Sequence, residues 1–141
     1  MNKQEWYEDR ILWRAGKHNL FEKRCVLFPE LPSNQQEAIN SRVVCEGKPL
    51  FAFFKNENTW TLLTTDEIAT SHDDGVFRGR LDDIQDEIGL WSESKPTNAD
   101  KRTANFLELK QLGFKVWAPE GHELFALWNI LKMFPIAGVP A

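Results

Sequence analysis

Pro49-Leu50-Phe51-Ala52-Phe53-Phe54-Lys55-Asn56-Glu57-Asn58-Thr59-Trp60-Thr61-Leu62-Leu63-Thr64-Thr65 is the stretch that decides the fold. Two runs rich in aromatic and β-branched residues flank the polar triplet Asn56-Glu57-Asn58, the pattern of two strands joined by a turn. Trp60 and Leu62 fall on one face of the second run, because side chains alternate across a strand. Downstream, Ile68-Ala69-Thr70-Ser71 and Val76-Phe77-Arg78-Gly79-Arg80-Leu81 flank His72-Asp73-Asp74-Gly75, where Asp-Gly tolerates the positive φ of a tight hairpin. In Asp82 to Gly89 the spacing of Leu81, Ile84 and Ile88 fits a helical turn better than a strand, and Leu90-Trp91 resumes the sheet. Ser92 to Thr103 reads as a polar loop. Asn105 to Lys110 alternates as a half-buried strand, Gly113 breaks it, and Phe114-Lys115-Val116-Trp117 is its hairpin partner.

Helices flank this meander. Leu124, Leu127, Trp128, Leu131 and Phe134 mark one face of a helix over 122–134, which Pro135 ends. Toward the N-terminus a helix is expected over about 3–15. Pro29 and Pro32 then break the chain, and a second helix is expected over about 34–45 with Ser33 or Asn34 as its N-cap and Glu37 completing a capping box. The fold class is therefore α+β: a curved antiparallel meander sheet closed by a C-terminal helix. Residues 1–45 form an N-terminal helical extension packed on the core, 46–134 the domain proper, and 135–141 a tail.

The chain has 141 residues, the size of one domain, with 42% hydrophobic and 27% charged residues, the balance of a soluble globule. The N-terminal Met1 to Trp6 lacks the apolar run of an export signal, and no segment is apolar enough to span a bilayer. Cys25 and Cys45 form no CxxC pair and read as reduced, buried thiols, which points to a cytoplasmic setting.

The stretch Glu46-Gly47-Lys48-Pro49-Leu50, then Trp60-Thr61-Leu62-Leu63-Thr64-Thr65, Ile68, and Leu81-Asp82-Asp83-Ile84 resembles bacterial pleckstrin-homology-like domains. The helix opened by Gly121-His122-Glu123-Leu124 resembles the one that plugs the open corner of their sheet. The resemblance covers about residues 46–134. Lipid-binding members of that family rely on basic side chains around the first strand-to-strand loop. Here that loop, Lys55-Asn56-Glu57-Asn58, balances one Lys with one Glu, so a phosphoinositide ligand is not expected.

The net charge of −4 argues against nucleic acid and anionic membrane as partners. Residues 66–93 hold nine acidic groups against Arg78 and Arg80, so the acidic excess lies in mid-chain. Asp73, Asp74, Asp82, Asp83, Asp86 and Glu87 crowd into fifteen residues. Such a block is either a solvated face or a docking surface for a basic protein, whose encounter opposite charge accelerates. Trp91 beside it is either a core residue or an aromatic anchor.

Catalytic signatures are missing. His72-Asp73-Asp74 has the residue types for metal ligation or acid–base work, but neighbours in a turn rarely converge on one ion, and a structural turn is the expected reading. His122-Glu123 opens a helix, where Glu suits the dipole, and His18 has no partner nearby in sequence. There is no HExxH, GxSxG or glycine-rich phosphate loop. The expectation is a non-enzyme without metal or cofactor, whose partner is a basic protein contacted through Asp73, Asp74, Asp82, Asp83, Asp86, Glu87 and Trp91. An immunity protein that occludes the basic active surface of a cognate toxin fits these features. An adaptor or regulatory domain that binds a peptide or lipid head group is the alternative.

Overall fold

A computed structural model describes residues 2–22, 24–85, 87–91 and 104–139. The expected loop at 92–103 and the last two residues of the tail lie outside them, as does Asp86. Helix α1 (Lys3–Lys17) starts at a capping box: Glu5 N–H donates to Asn2 Oδ1 at 2.8 Å, and Asn2 N–H donates back to the Glu5 carboxylate. A 3-10 turn (Leu20–Glu22) leads into strand β1 (Cys25–Leu27), and a second one (Phe28–Glu30) into helix α2 (Ser33–Asn40). Two details differ from expectation. Pro32 occupies the N-cap of α2, so neither Ser33 nor Asn34 caps it, and the helix stops at Asn40. The strap that follows is pulled onto the sheet, where Val43 is buried and Glu46 N–H donates to the Glu67 carboxylate at 2.6 Å.

Strands β2 (Pro49–Asn56), β3 (Thr59–Thr64), β4 (Glu67–His72) and β5 (Gly75–Arg80) continue the sheet that β1 begins, in the order β1-β2-β3-β4-β5, all antiparallel. β1 was not legible as a strand. The N-terminal segment thus contributes an edge of the sheet as well as helices. A second antiparallel sheet holds β6 (Ile88–Leu90), β7 (Phe106–Leu109) and β8 (Phe114–Trp117), and α3 (His122–Leu131) follows it. The expected single meander is therefore two sheets, and strand pairing does not close them into a barrel.

Both faces of the larger sheet are covered, which explains why β3 and β4 are buried almost throughout. Phe51, Phe53, Leu63 and Ile68 face a core shared with α1, α3 and the smaller sheet. Ala52, Trp60, Leu62 and Ala69 face a second core closed by Phe28, Leu31, Ile39 and Val43. Cys25 lies in the first core and Cys45 against the second, so the sheet separates the two free thiols.

The smaller sheet meets the larger one edge-on. The outer backbone groups of β8 are bonded by side chains rather than by a strand. His72 Nε2 lies 2.7 Å from the Lys115 carbonyl, Trp117 N–H donates to Thr70 Oγ1 at 3.3 Å, and Thr61 Oγ1 donates to the Trp117 carbonyl. Thr61 and Thr70 sit opposite each other on β3 and β4, with hydroxyls 2.8 Å apart. An otherwise open strand edge is thereby satisfied by a polar stripe on a sheet face. Leu112, in the β7–β8 turn, lies on Gly79 so closely that a Cβ there would come within 2.7 Å of it.

One glycine sits where only glycine fits. Gly47 has φ +85°, and an added Cβ would stand 2.6 Å from Thr65 Oγ1 and 2.9 Å from the Asp66 nitrogen. Gly47→Ala is expected to lower unfolding free energy by about 2–3 kcal/mol, through left-handed strain plus a clash with backbone that cannot rotate away. Chemical denaturation measures it, and a loss below about 1 kcal/mol would contradict this reading.

Candidate functional site

The acidic block does not form one face. Asp73 and Asp74 make the β4–β5 turn, both with positive φ (49° and 62°), as a two-residue hairpin requires. The turn falls on the expected His72-Asp73-Asp74-Gly75, with Asp73 and Asp74 at its centre and His72 paired to Gly75. Asp82 and Asp83 belong to a 3-10 turn (Leu81–Asp83) at the far end of β5, about 20 Å away for a six-residue strand. Asp82 is a tie to α1, accepting from Tyr7 Oη and from Lys3 Nζ, each at 2.5 Å. Burial pushes the Asp82 carboxyl up, but the hydrogen bonds from Lys3 and Tyr7 outweigh it and hold the group below the usual carboxylate range. Tyr7 in turn is pushed up to about 12 by burial and by its bond to Asp82. Asp83 and Glu87 are exposed at this end and pair with no cation among the described residues. Asp86 lies outside those residues.

What the structure brings together is Asp73 and Trp91. Lys115 of β8 joins them: its Nζ lies 3.4 Å from Asp73 Oδ2 and 3.7 Å from the centre of the Trp91 ring. His72 Nδ1 lies 2.9 Å from the same Asp73 oxygen. That hydrogen bond, followed by the charge of Lys115, holds the Asp73 carboxyl below its ordinary value. His72 itself is a β4 residue only 4% exposed, not part of a solvated turn tip. Both of its ring nitrogens face acceptors, the Asp73 carboxylate and the Lys115 carbonyl, so it works as a clasp between the two sheets.

Aromatic rings extend the site. His72 stacks on Phe77 (5.0 Å between centroids) and Phe77 on Phe114 (5.8 Å). Phe106 meets His72 and Trp91 edge to face at 5.1 and 5.9 Å. A cleft of about 370 Å³ lies among these rings, with Asp73, Glu108 and Lys115 on its walls. Phe77 and Trp91 are each 37% exposed and share this cleft. Among the described residues the other large exposed apolar side chains do not converge in this way: Trp13 is overlaid by Arg10, Arg14 and Lys17, and Val44 and Val139 lie on separate segments. The seam is thus an apolar patch with Asp73, Glu108 and Lys115 on its rim.

Sequence reasoning missed Phe77, Phe106, Glu108, Phe114 and Lys115. The alternation in β7 does put Phe106 and Glu108 on one side, and Lys115 stands opposite Glu108 across the β7–β8 pair. That signal could have marked the outer face of the hairpin. It carried no hint that β8 would pack beside His72.

Elsewhere the titratable groups serve the fold. Among the described residues no group of three His, Cys, Asp or Glu side chains is placed to hold a metal ion. Burial pushes both thiols up, Cys45 to about 11. Glu123, buried at the start of α3, takes a 2.8 Å hydrogen bond from Arg24. Burial raises its carboxyl, but the Arg24 bond and charge together with backbone N–H groups reverse this and hold it below 4.5. A carboxyl depressed on folding stabilises above its unfolded pKa, and the benefit is lost as pH falls through the folded value. Stability is therefore expected to fall below about pH 4.5. Without its cation, Glu123 keeps the upward push of burial with only backbone N–H groups to oppose it, so the deficit of Arg24→Met relative to the wild type should be largest at neutral pH and shrink on acidification. Urea denaturation of both chains across pH 3–7 checks this, and a gap independent of pH would refute it.

Among the described residues no helix is long and apolar enough to cross a membrane. No protein family, curated protein or solved structure matches the chain.

Proposed function

We propose that this chain is a non-catalytic protein-binding domain, an immunity protein that neutralises a cognate toxin by covering its basic active surface, with the hairpin seam as its contact. The observation that carries the reading is the meeting of Asp73 with Trp91 through Lys115, beside the exposed Phe77. Interface hot spots favour a buried-edged aromatic surrounded by charge that steers the partner. Asp73, Asp74 and Trp91 remain in the proposed contact, joined by Phe77, Glu108 and Phe114. Asp82 leaves it, because it is bonded to Lys3 and Tyr7. His72 has no ring nitrogen free for acid–base work, which supports the non-enzymatic reading. Free Cys25 and Cys45 suit the reducing cytoplasm proposed as its location.

The order of four strands β2–β5, three strands β6–β8 and then α3 supports assigning the core to the pleckstrin-homology-like class. That order also favours the second reading, an adaptor that binds a peptide or lipid head group. Retention on anionic vesicles would favour it over the toxin reading. The toxin reading is tested by expressing the product of the adjacent open reading frame in cells with and without this chain. Growth is expected to be restored by the chain and not by a well-folded Asp73→Lys/Asp74→Lys variant. A harmless neighbour, or equal protection by the variant, would refute the proposal.

A further inference from the structure

The Lys115 ammonium fills a seat. Its Nζ lies 3.7 Å from the Trp91 ring centre, 4.4 Å from that of Phe106 and 3.4 Å from the Asp73 carboxylate. Two ring faces and a carboxylate are the components of a cation-recognition site, since the ring quadrupole attracts positive charge and the carboxylate neutralises it. The walls are braced: Phe106 packs on both Trp91 and His72, and His72 holds Asp73 at 2.9 Å. Lys115 has a flexible four-carbon stem, and Glu108 stands directly opposite it on β7, about 5 Å away between Cβ atoms for such a pair. Glu108 makes no ion pair with a described residue. Lys115 therefore has two acceptors within reach, Asp73 in the seat and Glu108 outside it. A swing from one to the other empties the seat and leaves the lysine charge paired. The seat also opens onto the cleft beside Phe77 and Phe114, which gives an arriving side chain a path.

We propose that this seat receives a lysine or arginine side chain of the partner, and that Lys115 is an internal competitor which the incoming cation displaces toward Glu108. Naming the partner's side chain rests on the docking function proposed above, whereas the seat can be tested without the partner. Lys115→Ala removes the competitor and leaves the β8 backbone, whose residue-115 carbonyl faces His72, in place. Titrating the full-length variant with methylguanidinium and with butylammonium, while following the Trp91 indole N–H signal by NMR, is expected to give a saturable shift. Binding to the wild type should be at least about tenfold weaker, because its own ammonium competes. Lys115→Met, whose uncharged stem occupies the same space, should show no binding. Absence of a saturable shift in Lys115→Ala, or an equal shift in Lys115→Met, would overturn the seat and leave docking at the seam standing. Cation binding to Lys115→Ala combined with partner affinity indifferent to Asp73→Lys/Asp74→Lys would instead overturn the assignment of its ligand to the partner.

Discussion

Replacing Glu67 with alanine is expected to lower the free energy of unfolding by about 2–3 kcal/mol. Glu67 is 5% exposed and its carboxylate accepts three hydrogen bonds. Its two oxygens each take a 3.0 Å hydrogen bond from the Arg78 fork on the neighbouring strand. One of them also accepts the Glu46 N–H at 2.6 Å, and Arg78 reaches on to the Val44 carbonyl. The strap between α2 and β2 is thereby fastened over the second core. Removing one member of a buried ion pair can cost about 3–5 kcal/mol, because the other charge is left stranded. Here the Arg78 side chain is 46% exposed and returns to water, so the cost falls to the bottom of that range or below it. What cannot return to water so easily is the Glu46 N–H, together with Val43 beneath the strap. Glu67→Gln keeps an acceptor for that N–H and should cost about half as much. A loss under about 1 kcal/mol for the alanine variant would mean that the strap is held by apolar contact alone.

The second large effect concerns binding. Trp91→Ala is expected to weaken association with the partner by about thirtyfold or more, the loss of about 2 kcal/mol typical of a central aromatic anchor. Trp91 is more than one-third exposed and follows the end of β6, so its removal should leave the unfolding transition nearly unchanged. Trp60, fully buried in the second core, gives the contrast: truncating it should cost stability of about 3–5 kcal/mol whatever the partner does. A Trp91 variant that binds as tightly as the wild type would remove the seam from the interface.

The strands from Pro49 to Arg80 were legible in the sequence by their aromatic and β-branched runs and the turns between them, and the β7–β8 hairpin and the α3 face by periods of two and of three to four. β1 was not. Cys25-Val26-Leu27 is too short to show a period, and its strand character comes from pairing with Phe51, Ala52 and Phe53. The same limit governs the site. Asp73, Asp74 and Trp91 could be singled out by type, but Lys115, which joins them, arrives on a strand that meets β4 only through side chains of the larger sheet. Asp82 was assigned to the contact because its carboxylate sits in an acidic run. Its partner Tyr7 lies 75 residues upstream, and no local pattern reveals that bond.

The most direct test compares two charge reversals at opposite ends of β5 in association kinetics with the product of the adjacent open reading frame at low salt. Asp73→Lys/Asp74→Lys should slow association about tenfold or more, while Asp83→Lys/Glu87→Lys should stay within about twofold of the wild type. Equal slowing by both pairs, or an effect confined to the Asp83 end, would contradict a docking surface at the hairpin seam.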